Sequence, residues 1–368
     1  MTLTNLPPEL FELVAQYALK DDLPSLRLVS RDCYEKSLRP FGKAYCSDVK
    51  VLLHSEGSLR GAIKRTEHPI FGSFAQSVSI SIDEYRVGCG RCKALYAAQE
   101  WIRSQRLDVE LLTLLFRKLR VTGRCQEVKL VTASTTPRWT LHQKYHHDTK
   151  ACLTAPLMRN PHAFEVIMAA LSSSGLEIQT FAMENPRWSL PLHMLMQEHL
   201  ATMQHALRKT RSLDLDAWTD SRAPASAHVF VRSLEQLGHL RNLTIRGRDQ
   251  SDIQFGVVDF PDATAVGRAL LSSSLRSLRS ISLTNISMFP AQLADFAHRH
   301  SELLTVRFRD PWFLGTRDFD IRYHLPDDVR SALQRLTGKD HVEVAFDGGW
   351  DSWKWASRVS ERDSLGRW

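Results

Sequence analysis

From Leu10 onward, apolar residues fall at offsets of zero, three, four and seven: Leu10, Leu13, Val14 and Tyr17. That spacing puts them on one face of a helix. Pro7 and Pro8 preset the backbone for its start, and Glu9 places negative charge beside the unpaired N–H groups of the first turn. Asp21, Asp22 and Pro24 break this helix and open a second, whose apolar face carries Leu23, Leu26 and Val29. Ser30 reads as the N-cap of a third short helix with Cys33 and Leu38, which Pro40 and Gly42 are expected to end. Three short helices within about forty residues rarely make a core of their own, so this segment needs something to pack against.

Farther along, the pattern becomes a helix-like segment followed by a strand with alternating apolar residues. Ser58 to Arg65 precedes His68 to Gly72 and the strand Val78–Ile82, and Val109 to Leu119 precedes Val128–Val131. Phe164 to Leu171 pairs with Ile178–Phe181, Glu198 to Leu207 with Leu213–Asp216, and Val229 to Leu237 with Leu243–Arg246. The last three pair Ala265 to Leu271 with Ile281–Thr284, Gln292 to His300 with Val306–Arg309, and Val329 to Leu336 with Val342–Val344. The spacing tightens from about fifty residues to roughly 25 to 38, near the repeat lengths of helix–strand solenoids. Right-handed connections would lay such strands side by side as a parallel sheet with the helices behind. The expected fold class is therefore α/β: a short three-helix module over 1–45, then an irregular helix–strand array with a parallel sheet over 46–368. An unrelated α/β domain with irregular strand order is the alternative.

Two segments of the first forty residues stand at a particular separation: Leu6-Pro7-Pro8-Glu9-Leu10, and Asp22-Leu23-Pro24-Ser25-Leu26-Arg27-Leu28-Val29-Ser30-Arg31. On them, about the first ninth of the chain resembles an F-box. The resemblance implies docking to the Skp adaptor of a cullin-RING ubiquitin ligase through Leu6, Pro7, Glu9, Leu10, Leu13, Val14, Leu23, Leu26 and Val29. Leu240-Arg241-Asn242 and Leu278-Arg279-Ser280 resemble the start of a leucine-rich repeat, though the asparagine ladder of that consensus is missing. The whole is similar to fungal F-box proteins with a degenerate leucine-rich-repeat-like array, which implies a substrate-recognition subunit of an SCF-type ligase. A helical cap resting on the rest of the chain is the plainer reading of the N-terminus. A scaffold that holds the adaptor outside a ligase is a further alternative.

In such an array the residues between the buried positions of each strand point away from the core. Those positions carry Asp214 and Asp216, Thr244 and Arg246, Ser282 and Thr284, then Arg307 and Arg309, then Glu343. The face is expected to be acidic at one end and basic towards the other. Asp214, Asp216, Arg246, Arg307 and Arg309 are the candidate target-binding residues, with a solvated sheet face as the alternative.

Composition narrows the class. With 368 residues, 43% hydrophobic and 24% charged, the chain can bury a large core. Its net charge of +7 shows no Lys/Arg block, so no specific nucleic-acid partner is expected. No apolar run reaches membrane-spanning length and no leader pattern opens the chain, so neither membrane association nor export is expected. Cysteines at 33, 46, 89, 92, 125 and 152 are too scattered for a disulfide framework, pointing to cytoplasm or nucleus.

Cys89-Gly90-Arg91-Cys92 has the spacing of a thioredoxin-type redox pair or half a zinc site, the latter needing ligands such as Cys125, Cys152, His142, His146 or His147. Two ordinary loop thiols are the plainer account. The helix–strand pattern lapses near 132–162 into a His- and Pro-bearing insertion, and Trp350, Trp353, Trp355 and Trp368 crowd a C-terminal segment read as a cap. No phosphate-binding glycine loop, nucleophile elbow or metal-ligand helix motif occurs. A non-catalytic binding protein without cofactor or metal is expected.

Overall fold

A computed structural model describes residues 5–82, 84–85, 93–131, 153–154, 161–184, 189–220, 222–247, 263–300, 302–309, 312–313 and 343–347. The chain is an α/β protein that falls into two compact units. One comprises Met1–Thr154 with Ala169–Ile178, the other Ala155–Met168 with Gln179–Trp368.

The first unit opens with four short helices rather than three: α1 (Pro8–Tyr17), α2 (Leu23–Val29), α3 (Arg31–Lys36) and α4 (Leu38–Tyr45). Ser30 caps α3 as expected, its hydroxyl accepting from the Cys33 N–H at 3.1 Å. The expected stop at Pro40 and Gly42 is not observed, because both lie inside α4. Pro40 occupies the first turn, where its missing N–H would have had no partner in the helix. A side chain at Gly42 would put its Cβ 2.5 Å from the Phe74 ring, so glycine here permits close packing rather than a helix stop.

The parallel strands β1 (Asp48–Leu52), β2 (Ser77–Ser81) and β4 (Glu127–Val131) follow, linked through α5 (Glu56–Glu67) and through β3 (Glu84–Tyr85), α6 (Lys93–Ser104) and α7 (Leu107–Thr122). Ser55 starts α5 by accepting from the Ser58 N–H, and Gly123 ends α7 in the left-handed conformation at φ 63°. Register aligns Val49 with Val78 and Val128, and Val51 with Ile80 and Leu130. These side chains are buried, as are Leu59 and Ile63 of α5 and Leu112, Phe116 and Leu119 of α7. Each such burial contributes about 1.5–3 kcal/mol. The alternate strand positions form a polar face on which Ser77 and Ser79 donate to Asp48 at 3.0 and 2.8 Å. Strand β1 was not expected. It shows the same alternation, but no helix-like segment of the repeating kind precedes it. The two-residue β5 (Leu153–Thr154) pairs antiparallel with β3.

Helix α8 (His162–Ser174) has its residues divided between the two units. The second unit carries β6 (Thr180–Glu184), β7 (Leu190–Pro191), α9 (Gln197–Ala206), β8 (Ser212–Trp218), α10 (Ala225–Glu235), β9 (Asn242–Arg246) and α11 (Ala263–Leu271). It continues with β10 (Ser280–Thr284), β11 (Ser287–Met288), α12 (Pro290–Arg299), β12 (Thr305–Arg309), β13 (Trp312–Phe313) and β14 (Glu343–Asp347). Strands β6, β8, β9, β10, β12 and β14 lie side by side in chain order, all parallel. Leu213, Leu243, Ile281 and Val306 form one buried row and Leu215, Ile245, Leu283 and Phe308 the next. Consecutive helices α9 to α12 pack against one another. The expected helix Val329 to Leu336, the Cys89/Cys92 pair, most of the 132–162 insertion and the Trp-rich C-terminal segment lie outside the described residues.

Candidate functional site

Helix α1 is apolar on two faces. Phe11 and Ala15, each 1% exposed, point inward and meet Leu23 and Cys33, with Leu6, Ala18, Leu26, Phe41, Ala44 and Tyr45 packed around them. Leu10, Leu13, Val14 and Tyr17 are 47 to 90% exposed. Val29 and Leu28 add further exposed apolar area from α2. The module closes its own small core without any of these residues, leaving a concentration of large apolar side chains in water.

The module is fastened to the rest of the first unit through α4. Phe41 stacks on Tyr45 and lies 5.9 Å from Phe71, and the Arg27 guanidinium sits 4.0 Å above Phe41 and 4.3 Å above Tyr34. Lys36 Nζ donates to the Leu6 carbonyl at 2.9 Å, and the Tyr45 hydroxyl donates to the Lys20 carbonyl. The helices are thereby held with α1 and the end of α2 facing outward.

The nine residues expected to contact an adaptor therefore divide. Leu10, Leu13, Val14 and Val29 are exposed, as are Pro7 at the N-cap of α1 and Glu9 in its first turn. Leu23 belongs to the core, and Leu6 and Leu26 pack against it half-buried. Tyr17 and Leu28, 90 and 87% exposed, join the surface. The offset pattern of α1 already contained Tyr17. Leu28 had no such signal, because α2 is only two turns long.

On the second unit the outward strand positions behave differently from expectation. Arg246 does not stand apart on a graded surface: it bridges the two aspartates of the neighbouring strand. Asp216 is its register partner, and Asp214 lies two residues earlier on the same face. Arg246 Nη1 donates to Asp214 Oδ2 at 2.9 Å, Nε donates to Asp216, and Nη2 also reaches the Met183 carbonyl. Burial pushes the Asp216 carboxyl up to about 7, partly offset by Arg246, and burial likewise raises Asp214. Burial works against the Arg246 cation, but the two carboxylates outweigh it and raise its pKa. The expected acidic end is thus largely neutralised within the chain, while Arg307 and Arg309 remain exposed on β12. The bridge spans 30 and 32 residues of sequence, so local pattern carried no sign of it.

A buried His54–Asp108 pair in the first unit, Nδ1 to Oδ2 at 3.6 Å, was also unforeseen. Asp108 additionally accepts from the Val109 N–H at the start of α7. Among the described cysteines, Cys33, Cys46 and Cys125 are free thiols; burial raises Cys46 and pushes Cys125 up to about 12, a setting for an inert thiol. No described helix is long and apolar enough to cross a membrane. No family model matches the chain, and neither does any curated protein.

Proposed function

We propose that this chain is the substrate-recognition subunit of an SCF-type cullin-RING ubiquitin ligase, docking the Skp adaptor through its N-terminal helices. The observation that carries this reading is a coincidence of two independent properties. Leu10 and Val29 belong to the two segments that resemble an F-box, Leu13 and Val14 are the adaptor contacts that the resemblance implies between them, and all four are also apolar side chains that the module leaves in water. A helical cap resting on the chain would turn that face inward.

The second unit would act as the target-binding part. Its parallel strands in unbroken chain order support the reading of a leucine-rich-repeat-like solenoid, which offers a strand-lined surface to a partner. Ubiquitin transfer would then be accelerated by proximity, with no chemistry supplied by this chain. The free thiols among the described residues fit a reducing compartment such as cytoplasm or nucleus.

Co-expression with the Skp adaptor followed by size-exclusion chromatography tests the docking. The wild-type chain should co-elute with the adaptor. Leu10→Asp should abolish co-elution, because burying an unpaired carboxylate in an apolar contact costs several kcal/mol. Adaptor eluting alone from the wild-type preparation would sink the assignment. A complex that holds adaptor but never recruits cullin would favour the scaffold instead.

A further inference from the structure

Immediately before each of the strands β6, β8, β9, β10 and β12, one residue takes part in a backbone link between neighbouring strands. The Gln179 carbonyl accepts from the N–H groups of Arg211 and Ser212, and the Arg211 carbonyl from those of Arg241 and Asn242. Arg241 in turn accepts from Arg279 and Ser280, and Arg279 from Leu304 and Thr305. The column therefore reads Gln179, Arg211, Arg241, Arg279, Leu304, one residue per strand, and every member is exposed. Among the described residues, Arg211, Arg241 and Arg279 have no side-chain ion-pair or hydrogen-bond partner, in contrast to Arg246.

The fold does not require arginine at these places. The same backbone link recurs in the first unit, where the Gln76 N–H donates to the Ser47 carbonyl and the Gln126 N–H to the Gln76 carbonyl. There the column is Ser47, Gln76 and Gln126, without charge. Three like charges on successive rungs, about 4.8 Å apart, repel one another until an anion lies among them. Guanidinium forks are suited to pairing with carboxylates. Leu304, 46% exposed on the next rung, adds an aliphatic contact beside the charges. Among the residues of this unit whose side chains are described, no Phe, Tyr or Trp is exposed, so the base-stacking platform of a single-strand nucleic-acid site is missing from them. In sequence, Glu177 and Glu302 each lie two positions before an outer rung, which leaves the arginines central.

We propose that the Arg211–Arg241–Arg279 column with Leu304 is the docking surface for an acidic protein segment that carries an aliphatic residue at one end. From Gln179 to Leu304 the column spans about 19 Å, the reach of roughly six residues of extended chain. The inference rests on the receptor reading insofar as that segment belongs to the target.

The test uses the full chain and fluorescently labelled oligoglutamate hexapeptides ending in leucine or in serine, read by anisotropy at low and at physiological salt. The triple variant Arg211→Gln/Arg241→Gln/Arg279→Gln should bind at least about tenfold more weakly, with unchanged circular dichroism and melting. Leu304→Ser should weaken the leucine-ended peptide about fivefold and leave the serine-ended one alone. Undiminished binding by the triple variant overturns the proposal. So does an oligouridylate that binds as tightly as the peptides and loses as much in that variant. Adaptor co-elution, read on the same preparations, separates the two claims: a chain that takes the peptide but not the adaptor sinks only the receptor reading, and the converse sinks only the column.

Discussion

Replacing Arg246 by methionine keeps most of the side-chain length but strands two carboxylates. Asp216 is 9% exposed, whereas Arg246 and Asp214 are 31 and 28% exposed. Removing one partner of a fully buried pair costs about 3–5 kcal/mol, and solvent access at the rim of this cluster lowers the expectation to about 2–3 kcal/mol. For a body of this size that is a fall in Tm of about 4–12 °C. The penalty depends on pH in a stated direction. The folded-state pKa of Asp216, about 7, lies above its ordinary value of 3.8. The folded chain therefore holds a proton that the unfolded chain has released between those values, and stability falls as pH rises through that window. The Arg246→Met penalty should be largest near pH 8, where Asp216 is ionised, and smaller near pH 5. Asp216→Asn should flatten the slope, and the apolar triple Asp214→Leu/Asp216→Leu/Arg246→Met should recover most of the loss. Thermal melts followed by circular dichroism across this range measure all of this. An Arg246→Met chain that melts with wild type at the higher pH, or loses equally at both, would refute the bridge.

Adjacent residues of α1 should separate folding from docking. Phe11→Ala opens the module core and should cost about 3–5 kcal/mol in denaturant unfolding, whereas Leu13→Ala should cost less than about 1 kcal/mol while weakening adaptor binding. Equal destabilisation by the two would mean that the exposed face is structural. Cys125 should resist a thiol reagent in the native chain and react on unfolding, since burial keeps its thiol protonated far above neutral pH. Rapid native labelling at that site would contradict its placement.

The strands were readable because their apolar residues alternate with a period of two, and Leu213/Leu215, Leu243/Ile245 and Ile281/Leu283 do so without interruption. Helix α1 was only half readable. Its offset pattern picked out Leu10, Leu13, Val14 and Tyr17, which lie outside, and passed over Phe11 and Ala15, which form the core. A helix apolar on two faces does not announce which one turns inward; here the partners on α2 and α3 decide it. Pro40 and Gly42 looked like a stop because their usual cost to a helix was counted without the first-turn position of one or the Phe74 ring against the other. The Arg246 bridge and the arginine column both depend on strand register, which joins residues some thirty positions apart and leaves no local trace.

Hydrogen exchange on the full chain, with and without purified Skp adaptor, tests the central claim most directly. Docking through the exposed apolar face predicts new protection across α1 and α2, Pro8 to Val29, with the strands of the second unit unchanged. Protection that falls elsewhere, or none at all, would contradict it.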